Sequence, residues 1–155
     1  MRFLLVYIYT FLFVGCGFNT QNTQNTQNEF LKMNIGNNYK QLEKENKIKI
    51  DKSTKGIDGC FYAESKDETI DYIIVNDVIS SAMYRRSRFV NATSKEVKTK
   101  FENFEYINDE YDENSYYLIS KIDEVNGVKF HIVNDKVFEV YYGELGELRF
   151  QEGCL

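Results

Sequence analysis

The chain has 155 residues, with 19 Lys and Arg against 24 Asp and Glu, a formal net charge of −5. That balance disfavours nucleic acid and an anionic membrane surface as partners. Hydrophobic residues make up 43%, with twelve Tyr and twelve Phe, enough to build one core in a domain of ordinary size.

Arg2 is the only charge before Glu29, and Phe3 to Val14 is apolar apart from Tyr7, Tyr9 and Thr10. About 12 residues are too few to cross a bilayer, which takes roughly 20 in a helix. A basic start, a short apolar centre and a small residue at the end read as a secretory signal over residues 1–15. Phe13-Val14-Gly15-Cys16 resembles the bacterial lipobox, with Phe13 where Leu is usual. The resemblance implies a diacylglycerol on Cys16, cleavage before it and acylation of the new amino group. An ordinary signal peptide cut elsewhere and a spanning anchor are the alternatives. Several acyl chains would hold the protein stably where one would not.

Asn19-Thr20-Gln21 recurs as Asn22-Thr23-Gln24 and Asn25-Thr26-Gln27. With no apolar residue to bury, residues 16–30 are expected to be a lipidated Cys followed by a disordered tether. Residues 31–155 then form the globular domain. Of the three cysteines, Cys16 is assigned to lipid, which leaves Cys60 and Cys154 as a pair in an exported, oxidising setting. They are expected to be bonded, with two separate buried thiols as the alternative. Two distant Cys and the single His131 do not have zinc spacing, so no metal and no cofactor is expected.

Within the domain, Ile74-Val75-Asn76-Asp77 recurs as Ile132-Val133-Asn134-Asp135, offset by 58 residues. Each lies between β-favouring runs, and Asn-Asp suits a tight hairpin turn. The same offset carries residues 35–44 onto 93–102. The second of these opens with Thr93 and Glu96 spaced as a capping box, and Val97 and Phe101 give it one buried face. A further strand precedes each hairpin, at Gly59–Ala63 and at Tyr116–Ser120, with extra strand character at Lys47–Ile50 and Glu147–Phe150. The expected fold is α+β and mostly β, a single domain. It is read as two tandem repeats of one helix followed by an antiparallel meander, at about 34–90 and 91–155.

Gly59-Cys60-x-Tyr62, the two hairpins, the Thr/Ser-started helix and the terminal Glu152-Gly153-Cys154-Leu155 resemble a group of small Gram-negative envelope lipoproteins of unassigned function. Their second helix usually follows a Gly-rich approach, and Arg88 to Val97 here lacks those glycines. The repeated plan is similar to β-lactamase inhibitor protein and to the small lipoprotein of the outer-membrane barrel-assembly machine. That likeness concerns the fold and assigns no function.

Few residues point to chemistry. His131 lies inside a strand with no nucleophile near it in sequence, so no catalytic residue and no enzyme is expected. Asp109, Glu110, Asp112 and Glu113 crowd the stretch 108–117 without the order of a calcium loop, and read as a solvated loop. Arg85, Arg86 and Arg88 form the one basic cluster, with Arg86 and Arg88 on one face if the strand runs on. More often such a run keeps a sheet edge soluble. Tyr116-Tyr117 and Tyr141-Tyr142 each set one ring on either face of a sheet, and outward tyrosines suit contact. The expected contacts are Tyr117, Tyr142, Arg86 and Arg88. Asn91 in Asn-Ala-Thr is taken as a chance sequon.

These readings converge on an expectation of a bacterial envelope lipoprotein. It would be held to the membrane by lipid on Cys16 and would bind an envelope protein without catalysis. Gly17, where Asp would favour retention, points to the outer membrane, facing the periplasm. The alternative is an inhibitor of a cell-wall hydrolase or β-lactamase that offers the 108–115 loop to a cleft.

Overall fold

The two Asn-Asp pairs make the turns that their sequence demands. Asn76 and Asp77 have φ of 49° and 67°, and Asn134 and Asp135 have 49° and 63°. Positive φ at both central residues matches the twist of a two-residue hairpin, and Asn and Asp tolerate it. A computed structural model describes residues 20–54, 59–150 and 154, and the hairpins are its centre. The first joins β3 (Ile70–Val75) to β4 (Val78–Tyr84), and the second joins β7 (Asn126–Val133) to β8 (Lys136–Glu144). With β1 (Ile48–Ile50), β2 (Cys60–Ser65), β5 (Glu105–Asn108) and β6 (Ser115–Lys121) they form one antiparallel sheet. Its order is β1-β2-β3-β4-β8-β7-β6-β5, so the hairpins meet at β4 and β8 in the middle.

The match between the hairpins goes past the turns. Pairing shifts between Ile73 and Ile74 in one and between His131 and Ile132 in the other, leaving Ser80 and Phe138 as the extra residues. All of these are 58 residues apart. A bulge adds twist and re-aims the side chains around it.

Four short helices accompany the sheet: α1 (Thr20–Lys32), α2 (Tyr39–Lys44), α3 (Ser94–Lys98) and α4 (Leu145–Leu148). None of the described helices is long and apolar enough to cross a membrane. The capping box opens α3 as expected: Thr93 Oγ1 accepts from Glu96 N–H, and Thr93 N–H donates to Glu96 Oε2. Asn38 caps α2, its Oδ1 accepting from Lys40 N–H. Each helix start is tied to a hairpin turn. Tyr39 N–H donates to the Asp77 carbonyl, and Ser94 N–H to that of Asp135. The two caps are 55 residues apart, so the helices do not keep the 58-residue offset expected for them.

Over residues 20–30, α1 differs from the reading of 16–30 as a disordered tether, and residues 16–19 lie outside the described residues. Residues 20–30 are helical, and the docked part uses polar partners beside apolar burial. Thr26 is buried and its hydroxyl accepts from Arg88 Nη2 at 3.1 Å. Glu29 takes the Ser87 hydroxyl at 3.0 Å and the Tyr142 hydroxyl at 2.5 Å. Phe30 leans on Tyr142, and Met33, just past the helix, is fully buried. Residues 1–15 and Cys16, assigned to the signal and the lipid, lie outside the described residues.

The main core lies on one face of the sheet. Alternate residues of each strand supply it, among them Ile70, Tyr72 and Ile74 on β3 and Val128, Phe130 and Ile132 on β7. Aromatic edges lock the layer: Tyr39 meets Phe61 at 5.0 Å, and Phe130 meets Phe89 and Phe101 at 5.5 and 5.1 Å. On the other face, α4 places Leu145 and Leu148 on Ile119, with Ile107 and Tyr141 beside them. Gly127 is required there, because a Cβ would come within 2.6 Å of Leu145. The Cys60 and Cys154 sulfurs are 2.10 Å apart and their Cα atoms 5.3 Å, so the expected pair is joined.

Candidate functional site

The face opposite the main core is built by the residues that alternate with it. One row crosses all eight strands in register: Lys49, Glu64, Asp71, Met83, Tyr141, Lys129, Ile119 and Glu105. Two grooves lie along this face. One of about 530 Å³ is lined by Lys49, Glu64, Asp71, Met83 and Glu139. The other, of about 710 Å³, is lined by Tyr117, Lys129, Tyr111, Glu110, Glu147 and Arg149. They share Tyr62, Ile73 and Tyr141.

Most charges here are matched. Arg85 donates through Nε and Nη2 to the two Asp71 oxygens at 2.8 and 2.6 Å, and its Nη1 lies 2.9 Å from Glu64. Burial raises the Asp71 carboxyl, and Arg85 pulls it back only in part. Arg149 grips Glu105 at 2.8 to 3.0 Å. His131 stands between two acids. Its Nδ1 is 3.2 Å from Glu139 Oε2, and its buried Nε2 is 3.3 Å from Asp109 Oδ2, off the line of a directed hydrogen bond. The His131 bond, helped by the Tyr141 hydroxyl at 2.6 Å, holds the Glu139 carboxyl below its ordinary value against the effect of burial. Asp109 is likewise held low, first by the Ser115 hydroxyl and the Tyr111 N–H.

Ser115, Asp109 and His131 are therefore neighbours, but in the wrong order for a triad. The serine hydroxyl donates to the acid, and the acid stands between serine and imidazole, so the imidazole does not face the hydroxyl.

Lys129 is a buried exception to the matching. It is only 7% exposed, and no carboxylate among the described residues is within ion-pair distance. Its Nζ donates to the Phe150 carbonyl at 3.0 Å and lies 5.2 Å from the Tyr117 ring centre and 4.7 Å from that of Tyr141. The rings' π faces attract a cation, but burial dominates and brings the amine down to about 8. Burial also pushes the Tyr117 hydroxyl up to about 12 and the Tyr141 hydroxyl further.

Of the four residues expected to make contact, Tyr117 lies on this side of the sheet but is only 9% exposed, stacked on His131 at 4.6 Å. Tyr142 does not. It is fully buried in the main core and anchors α1 through Glu29, while Tyr141 takes the open face. Arg86 and Arg88 share no strand face, because β4 ends at Tyr84 and both lie in the turns that follow. Arg88 is taken up by Thr26 and Glu29 and stacks over Phe89 at 4.6 Å. The 108–115 loop is ordered by its own carboxylates: Asp109 as above, and Asp112 accepting from Asn114 N–H at 2.8 Å. Lys129, Tyr141, Tyr62 and Glu139 were missed. The available signal was Gly127, Lys129 and His131 alternating with Val128, Phe130 and Ile132, which puts the polar set on one face.

Comparisons with protein families, with curated proteins and with solved structures find no match for this chain. The site is read from its own chemistry.

Proposed function

We propose that this protein is a lipid-anchored protein of the bacterial envelope that binds another macromolecule without catalysis. The observation that carries the reading is the open sheet face, with two adjoining grooves walled by Tyr62, Tyr117 and Tyr141. Tyrosine offers a large, stiff contact area with a polar tip, and a groove next to it gives a partner side chain somewhere to go. The anchor is the lipid on Cys16, and the leaflet is the outer membrane, facing the periplasm. Confinement to a surface raises effective concentration, so modest affinity suffices.

We also infer that the domain is two tandem repeats. The equal turns, the bulges 58 residues apart, the twin ties from helix cap to turn and the mirror-like strand order all support a duplication.

In-cell crosslinking and capture of the tagged protein tests the binding reading, beside Cys16→Ser and Met83→Arg. Met83 lies mid-row on the open face, so a charged Arg there obstructs it. One protein captured by the wild type and lost with both variants supports the reading. Capture unchanged by Met83→Arg removes the face from it, and no specific capture at all overturns it.

A second reading is inhibition of a cell-wall hydrolase or β-lactamase. It is favoured by the 108–115 loop, which is held by its own hydrogen bonds and carries Tyr111 at 71% exposure beside the larger groove. Lysozyme and β-lactamase assays with micromolar protein test it, and unaltered rates would count against it.

A further inference from the structure

A charged group removed from water without a counter-charge is costly, and proteins keep such groups where something else completes them. On the open face, Asp71 and Glu64 have Arg85, Glu105 has Arg149, Lys49 has Glu68, and His131 has Asp109 and Glu139. Among the described residues, Lys129 is a buried charge on this face whose contacts are a neutral carbonyl and two ring faces. It also lines the larger groove, although only 7% of the residue is exposed.

We propose that Lys129 receives a carboxylate side chain of the protein partner, which enters the larger groove between the Tyr117 and Tyr141 rings. This names the partner chemistry of the binding reading above and rests on it. The groove gives the reason for a single carboxylate. Glu110 and Glu147 also line it, so a polyanion would meet repulsion, whereas one acid flanked by neutral or basic residues would not. The titratable groups around Lys129 are Tyr117 from β6, Glu139 and Tyr141 from β8, Glu110 and Tyr111 from the 108–115 loop, Glu147 from α4, and Arg149 beyond it. Glu139 attracts the ammonium from a distance, and Arg149 is spent on Glu105. A bound carboxylate stabilises the protonated amine, so binding is linked to proton uptake above pH about 8.

The test uses the protein with its disulfide intact and follows the Lys129 side-chain resonances by NMR at pH 7 and 8.5. The probes are N-acetylglutamate amide and its neutral counterpart N-acetylglutamine amide. The expected result is a saturable Lys129 shift with the glutamate probe, and binding at least about tenfold weaker with the glutamine probe, as loss of a charge-assisted bond implies. Lys129→Met, with the rest of its spectrum unchanged, loses the glutamate-dependent shifts of the adjoining Tyr117 and Tyr141 ring resonances. No saturable Lys129 shift, or equal shifts from both probes, overturns the proposal. The binding reading fails separately. If crosslinking captures a partner that Lys129→Met holds as tightly as the wild type, the carboxylate subsite is wrong and the face stands. If nothing is captured, the face itself is wrong.

Discussion

Replacing Lys129 with Met should make the protein more stable at pH 7. The amine falls from 10.5 to about 8 on folding because it is buried. At about 1.4 kcal/mol for each tenfold change in proton affinity, that opposes folding by roughly 3 kcal/mol. Methionine has a similar length and no charge to desolvate. Against this gain stands the lost bond to the Phe150 carbonyl, worth about 1 kcal/mol, and the lost attraction of the two rings. A net gain of about 1–2 kcal/mol follows. The sign with pH is fixed as well. The unfolded chain keeps this proton up to about 10.5 and the folded one only to about 8, so the penalty is full below pH 8 and fades as pH rises towards 10.5. The advantage of Lys129→Met should therefore be greatest near pH 7 and clearly smaller at pH 9.5. Urea unfolding of both proteins at each pH measures it. A variant less stable than the wild type at pH 7, or an advantage that grows with pH, would refute the reasoning.

Tyr142→Phe leaves Glu29 with one donor fewer in a half-buried setting and should cost about 1.5–3 kcal/mol, the range for bonds to charged groups. A cycle with Glu29→Gln should give coupling of at least 1 kcal/mol, and none would mean that α1 is not docked through this pair. Reducing the Cys60–Cys154 bond releases a 94-residue separation and should lower stability by about 4–5 kcal/mol on the chain-entropy account, read from denaturant midpoints with and without reductant. Thr93→Ala removes one half of the capping box and should cost about 1 kcal/mol, with Thr93→Ser close to neutral in thermal melts. Glu139 and Asp109 have folded values below their unfolded ones, so the stability they give is present above pH about 4 and is lost as pH falls through the folded values. Stability measured from pH 5 to 3 should fall less steeply in Glu139→Gln than in the wild type.

What this chain's sequence determines by itself is local. Asn76-Asp77 and Asn134-Asp135 accept positive φ, so two tight hairpin turns are written in two residues each. Thr93 and Glu96 write a helix start, and the alternation of Ile70, Tyr72 and Ile74 writes a buried face. Each of these rests on backbone preferences within one element, which act whatever the rest of the chain does.

The tertiary structure decides the rest. The Asn-Thr-Gln segment carries no apolar signal, and its helix is docked by Glu29, Thr26 and Phe30 on side chains some sixty to over a hundred residues away. Tyr141 and Tyr142 alternate faces in either reading, but which face is core depends on where the helices lie, and that put Tyr142 inside. Lys129 in a strand reads as a solvated lysine. Only the pairing of β6, β7 and β8, with Phe150 brought beside them, puts its ammonium near two rings and at a carbonyl. Burial is a property of neighbours distant in sequence, so the charge that most shapes this site could not be told from an ordinary surface charge until those neighbours were in place.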